Sequence, residues 1–187
     1  MRSILFAAAL GLTGCAATPN AASQPASALA AATLPQWWVD HVAFMSRDGG
    51  IWVTPNATTE PSAPDAFAME WRASNEGRVL TGCLYGLRNG QEIAEYWTVR
   101  GFWHPGEQRA IVQQWGGPGV YGVGESRWEN GEGVLDQTFW LPDGRSWRTG
   151  HRNRKNDNAY ETAAFDIDAA GVWTPKDART WRRTQSE

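Results

Sequence analysis

Turn signals return along this chain at a nearly constant spacing, and this spacing constrains the fold more than any other feature. From Gly77 onward, short groups of Asn, Asp, Pro and Gly recur about every 11 to 16 residues, as in Asn89-Gly90, Asn130-Gly131 and Pro142-Asp143-Gly144. Asn and Gly tolerate positive φ, which tight hairpins require. The chain is therefore predicted to be a meander of antiparallel strands joined by short turns.

The segments between the turns alternate apolar and polar side chains with a period of two. Met69 and Trp71 alternate with Glu70 and Arg72, as in a strand with one buried face. The predicted strands, about ten in number, lie near 50–57, 66–74, 78–87, 92–103, 108–115, 119–129, 133–141, 145–155, 159–168 and 172–183. We predict an all-β fold, an antiparallel up-and-down β-barrel, because closure removes exposed strand edges. A β-sandwich is the alternative, although it usually needs longer crossover connections than these hairpins allow.

One short helix is predicted ahead of the strands. Apolar residues in 34–45 recur near i, i+3, i+4 and i+7 spacing, with Thr33 as the expected N-cap and Pro35 in the first turn. Residues 34–187 are therefore predicted to form one β-barrel domain.

The N-terminus carries the features of a secretory signal. Arg2 supplies a positive charge, residues 4–12 form an apolar run, and Leu12-Thr13-Gly14-Cys15 follows. The run is too short for a transmembrane anchor, which needs roughly 20 residues. The four-residue motif resembles the lipobox of bacterial lipoproteins. This resemblance implies that residues 1–14 are a signal peptide and that Cys15 is acylated.

Residues 15–33 are predicted to be a flexible tether between the acylated cysteine and the barrel. They are rich in Ala, Ser and Thr and contain no charged residue, and Pro19 and Pro25 oppose a helix. The 18 residues after Cys15 would give the tether an r.m.s. reach of roughly 20 to 25 Å. The lipobox resemblance implies a cell-envelope lipoprotein. Ala16 stands where an Asp would retain such a protein in the inner membrane, which favours the outer membrane and a domain facing the periplasm.

The start of the first strand and the end of the last strand carry a second resemblance. Gly50-Ile51-Trp52 follows the predicted helix directly, and Arg182 lies on the last strand. This arrangement resembles the lipocalin and fatty-acid-binding (calycin) proteins, and it is most similar to a bacterial lipocalin-like family of unknown function. The resemblance implies a barrel whose bottom is plugged by Gly50 and Trp52, with Arg182 covering the tryptophan.

The 12 Trp residues among 187 are the main functional signal in the composition. Small barrels are filled by such side chains, so most of these rings are expected in the core. The functional alternative is an aromatic cavity for a small apolar or amphipathic ligand. Trp71, Trp97 and Trp115 are the candidate ligand contacts among the tryptophans. Arg100 and Arg148 are the candidates to orient a ligand carboxylate, provided that they face inward.

Other functional classes receive less support from the sequence. A net charge of −3 gives no general attraction for nucleic acid, and the three scattered histidines predict neither a metal site nor a cofactor. An enzyme that uses paired carboxylates, such as Glu95, Glu125 and Asp136, is one alternative. A structural or glycan-contacting envelope module without a pocket is the other, because Trp rings next to carboxylates suit sugar stacking.

Overall fold

The structure, a computed structural model, describes residues 33–58 and 60–184. The predicted signal peptide, the predicted acylation site Cys15 and nearly all of the predicted tether lie outside these residues. Within the described ranges, no helix is long and apolar enough to cross a membrane.

The described residues form one α-helix, a short 3₁₀ turn and ten strands. The helix α1 spans Gln36–Ser46, and the 3₁₀ turn spans Arg47–Gly50. The strands are β1 Ile51–Pro55, β2 Ala66–Ser74, β3 Val79–Arg88, β4 Gln91–His104, β5 Arg109–Gly116, β6 Val120–Glu129, β7 Glu132–Trp140, β8 Ser146–Asn156, β9 Ala159–Ile167 and β10 Trp173–Arg183. Each strand pairs antiparallel with the next one along the chain, and β10 pairs with β1, so the sheet closes. The predicted all-β, ten-stranded up-and-down barrel is thereby confirmed.

The turns lie where the Asn and Gly signals predict them. Asn89 and Asn130 adopt positive φ angles of 52° and 51°, and Gly90 and Gly131 follow them at 74° and 82°. These pairs reverse the chain between β3 and β4 and between β6 and β7. Local turn chemistry therefore accounts for the positions at which these strands begin and end.

Helix α1 closes one end of the barrel. The Trp38 indole Nε1 donates to Gly77 O in the β2–β3 turn at 2.9 Å. Arg47, in the 3₁₀ turn that follows α1, donates to Asp157 O in the β8–β9 turn at 2.6 Å. We call this end of the barrel the helix end.

The start of α1 differs from the prediction. The helix begins at Gln36, and Pro35 rather than Thr33 occupies the N-cap, without a side-chain hydrogen bond. Pro35 is extended, with ψ of 144°, and its carbonyl accepts hydrogen bonds from the N–H groups of Trp38 and Val39. The proline thus ends the extended segment and places Thr33 before the helix.

Trp52 fills the helix end of the barrel. It is 0% exposed, and its indole Nε1 donates to Met45 O at 3.0 Å. Gly50 has a φ of +70°, and a Cβ there would overlap the Trp71 carbonyl, so only glycine fits. Gly50 and Trp52 are therefore tightly packed at the helix end of the barrel.

The arginine that covers Trp52 is Arg183 and not Arg182. The Arg183 guanidinium lies 4.3 Å from the centre of the Trp52 ring, whereas Arg182 is exposed. A register shift between Pro175 and Asp177 causes the difference. The extra residue of such a β-bulge exchanges the two faces of the strand that follows. Alternation counted from the start of β10 therefore names the wrong arginine.

Large rings on the inner face lie over glycines of the neighbouring strands. A Cβ at Gly116 would overlap the ring of Trp97, and a Cβ at Gly82 would overlap the ring of Trp71. Each glycine leaves room for a ring to lie against the barrel wall. The rings thus cover the wall, while a space remains in the middle of the barrel.

Candidate functional site

The barrel holds a partly open cavity of about 210 Å³ between α1 and the middle of the strands. Its wall combines side chains of α1 with residues from β2 to β10. The residues of the wall are Trp37, Trp38, His41, Met45, Met69, Trp71, Leu80, Cys83, Leu84, Trp97, Val99, Gly101, Val112, Gln114, Ser126, Trp128, Gly133, Leu135, His151, Asn153, Tyr160, Thr162 and Trp181. Six of these are tryptophans, so the wall is mostly apolar, as it is in ligand pockets generally.

The cavity volume limits the size of a ligand that it can enclose. A cavity of about 150 Å³ holds benzene, and pockets for drug-sized molecules begin near 300 Å³. A volume of about 210 Å³ therefore suits a molecule somewhat larger than benzene. A long acyl chain would not fit within it.

Four polar side chains lie on the inner face of four consecutive strands, at three neighbouring levels of the strand register. They are Gln114 on β5, Ser126 on β6, Gln137 on β7 and His151 on β8. Gln114, Ser126 and His151 belong to the cavity wall, and Gln137 follows the wall residue Leu135 on the same face of β7. We call these four residues the polar strip.

Three residues of the polar strip have buried polar atoms that lack hydrogen bonds. The atoms are Gln114 Oε1, Nε2 and Oε1 of Gln137, and His151 Nδ1, and none has a partner within residues 33–58 and 60–184. Buried polar groups are nearly always hydrogen-bonded, and an unpaired one costs about 1 to 3 kcal/mol. The polar strip is therefore a candidate to bind the polar groups of a ligand.

Burial keeps the titratable groups of the cavity uncharged at neutral pH. Burial lowers the pKa of His151 to about 4. Burial, and then the positive charge of Lys155, lowers the pKa of His41 to about 3. Burial also raises the pKa values of Tyr160 and Cys83. Since no Asp, Glu, Lys or Arg occurs among the described wall residues, the cavity wall itself carries no formal charge at neutral pH.

The three predicted tryptophan contacts lie on different faces of the barrel. Trp71 and Trp97 line the cavity. Trp115 lies on the outer face, where it is 42% exposed and its ring centre is 5.7 Å from that of Tyr121. The neighbouring Gln114 takes the inward position, because a one-residue error in a strand exchanges its two faces.

The two predicted carboxylate clamps also lie on the outer face. Arg148 donates to Asp136 at 2.8 Å. Arg100 is exposed, and its neighbours Val99 and Gly101 face the cavity. The expected inward arginine is therefore absent at both positions, since strand alternation turns each of these side chains away from the interior.

Gln114, Gln137 and His151 are functional candidates that the sequence expectations did not include. The sequence does hold a signal for two of them. Gln114 alternates with Val112, and Gln137 alternates with Leu135, in the pattern of an inward face. A polar residue within an apolar inward series is the feature that marks them, once the facing of the strand is known.

The carboxylates considered for acid–base chemistry lie outside the cavity. The strand register places Glu125 opposite Asp136, but Glu125 pairs with Arg109 at 3.3 Å and Asp136 pairs with Arg148. Glu95 is exposed. In the part of the chain that the structure describes, no group of three or more His, Cys, Asp or Glu could hold a metal ion.

Comparisons with known proteins assign no family to the chain. No protein-family model matches it, and no curated protein matches it significantly. The closed ten-stranded antiparallel barrel is consistent with a calycin-like fold. The barrel and its cavity are therefore the basis for an assignment of function.

Proposed function

We propose that this protein is a lipid-anchored binding protein of the bacterial cell envelope, whose barrel encloses a small, mostly apolar ligand. The cavity of about 210 Å³ carries the proposal, because six tryptophans line it and leave its centre open. Its size favours a compact ring compound over a long acyl chain.

The lipobox resemblance at 12–15 supports attachment to the membrane through Cys15. Acyl chains contribute about 0.8 kcal/mol per buried methylene, so several chains would hold the protein on a bilayer. The predicted tether at 15–33 would let the barrel stand off the surface. Ala16 favours the outer membrane, where the barrel would meet small molecules of the periplasm.

A variant that fills the cavity tests the binding function. Ser126 faces the cavity from β6, and Val123 lies on the outer face of the same strand. Indole is a suitable probe, and the full chain in lipid nanodiscs would be titrated by calorimetry, with empty nanodiscs subtracted. We expect the wild type and Val123→Phe to bind indole and Ser126→Phe to bind it at least tenfold more weakly. Equal heats for all three proteins, or no binding to any, would contradict the proposal.

Replacing the predicted anchor tests the attachment. We expect Cys15→Ser to move the protein from the membrane fraction to the soluble fraction of the envelope, without a change in the urea midpoint of the barrel. Cys83→Ser is the matched control and should remain in the membrane fraction. Retention of Cys15→Ser in the membrane would show that the lipobox prediction is wrong.

A glycan-contacting surface is the second candidate function, and an aromatic row on the outer face favours it. Trp115, Tyr121 and Trp140 are neighbours across β5, β6 and β7, with ring centres 5.7 and 6.1 Å apart. Trp115 and Trp140 are 42% and 38% exposed. If the row binds sugars, Trp140→Ala will weaken retention on N-acetylglucosamine oligosaccharides while indole binding stays unchanged. No retention of the wild type on these sugars would eliminate this candidate.

A further inference from the structure

We infer that the cavity recognises an uncharged planar ring with an amide-like edge, on which a hydrogen-bond donor and an acceptor lie side by side. This inference rests on the proposed binding function and specifies the class of ligand. The polar strip would bind the amide-like edge, and Trp71 and Trp97 would cover the ring.

The arrangement of the strip is the first support. Its members occupy the inner face of β5, β6, β7 and β8, one on each strand. Gln137 is 0% exposed, and a Cβ at Gly124 would lie 2.6 Å from its Cγ. Because Gly124 has no side chain, the Gln137 side chain of β7 has room over β6, which is the strand between β7 and the β5 strand of Gln114.

The chemistry of the strip is the second support. A glutamine amide presents two N–H donors beside one acceptor oxygen, and a serine hydroxyl both donates and accepts. A primary amide, a lactam or a nucleobase edge also has a hydrogen-bond donor beside an acceptor. Its donor can therefore face the glutamine oxygen while its acceptor faces a glutamine N–H group. A hydrocarbon presents neither group, and a carboxylate presents only acceptors. Among these classes, an amide-like edge alone matches the strip.

The absence of charge is the third support. Burial of an ion without a partner is strongly unfavourable. The described wall residues include no Asp, Glu, Lys or Arg. The cation beside the wall is Lys155, whose Nζ lies 4.4 Å from the centre of the Trp128 ring. A ligand that lies wholly within the cavity is therefore uncharged.

Three probes of matched size separate the ligand classes. Benzamide carries the amide edge, isopropylbenzene carries no polar group, and benzoate carries a negative charge. The full chain in lipid nanodiscs would be titrated with each probe by calorimetry. We expect benzamide to bind about tenfold more tightly than isopropylbenzene, which corresponds to one net hydrogen bond of about 1.4 kcal/mol, and benzoate to bind most weakly.

Two adjacent glutamines provide a matched pair of variants. Gln114 faces the cavity, whereas Gln113 lies on the outer face and donates to the Tyr121 hydroxyl at 3.2 Å. Gln114→Leu should weaken benzamide binding about tenfold without weakening the binding of isopropylbenzene. Gln113→Leu should leave both affinities unchanged, and its urea midpoint would report any loss of stability.

The possible results separate this inference from the proposed function. If isopropylbenzene binds the wild type as tightly as benzamide, water satisfies the polar strip and the inference fails, while the binding function stands. If benzoate binds most tightly and Lys155→Met abolishes that preference, the site is an anion site and the inference fails. If no probe binds, indole included, the proposed function fails together with the inference.

Discussion

Replacement of Trp52 should destabilise the barrel more than any replacement of an exposed tryptophan. Trp52 is 0% exposed, its ring centre lies 4.9 Å from that of Phe44, and its N–H donates to Met45 O. Deletion of a buried Trp side chain costs about 3 to 5 kcal/mol, and the unpaired carbonyl adds about 1 kcal/mol. We therefore expect Trp52→Ala to lower the free energy of unfolding by about 5 kcal/mol.

Urea denaturation followed by circular dichroism measures this loss. With an m-value of about 2 kcal/mol per molar urea, 5 kcal/mol moves the midpoint by roughly 2.5 M. Trp52→Phe keeps a ring but loses the N–H group, so its loss should be about 2 kcal/mol. This milder variant keeps the test informative if Trp52→Ala fails to fold, because domain stabilities are only about 5 to 15 kcal/mol.

Trp115→Ala is the matched control, since Trp115 is 42% exposed. Its midpoint should change by less than 0.5 M, corresponding to about 1 kcal/mol or less. Equal midpoints for Trp52→Ala and Trp115→Ala would refute the assignment of Trp52 as the buried plug.

Two further predictions concern acid and the last strand. His41 and His151 have pKa values lowered to about 3 and about 4, so below pH 6.5 the unfolded chain binds protons that the folded barrel does not. Stability should therefore fall by about 4 kcal/mol between pH 7 and pH 5, and urea midpoints that stay constant over this range in the wild type would exclude buried neutral histidines. Arg183→Gln should cost about 2 to 3 kcal/mol, because Arg183 donates to Phe44 O at 2.9 Å and covers Trp52. Arg182→Gln should change stability by less than about 0.5 kcal/mol in the same urea assay, and the reverse order would show that Arg182 covers the plug.

The strands could be predicted from the sequence because the signals that define them are local. Asn-Gly turns and period-two alternation act over a few residues, and both are complete within each hairpin. The eight pairings between consecutive strands from β2 to β10 follow from these signals, whereas the pairing of β10 with β1 that closes the barrel is not local.

Whether an individual side chain lies on the inner or the outer face of its strand could not be predicted in the same way. The pairing register changes within β10 and also between β3 and β4. Each change alters which residues face inward, and it leaves no signal in the sequence. Arg182, which the calycin resemblance implied, is therefore exposed, and Arg183 lies over the Trp52 ring. The cavity could not be predicted either, because its volume depends on how rings from different strands pack around a common centre.

The pairing of Trp97 with Gly116 makes the capacity of the cavity depend on a residue outside its wall. A methyl group at Gly116 would meet ring atoms of Trp97 first, so the ring would have to swing away from the strand and into the open volume. Homologous proteins could thus acquire a preference for smaller or larger ligands through glycine–alanine exchange behind a ring, while every side chain that contacts the ligand stays the same.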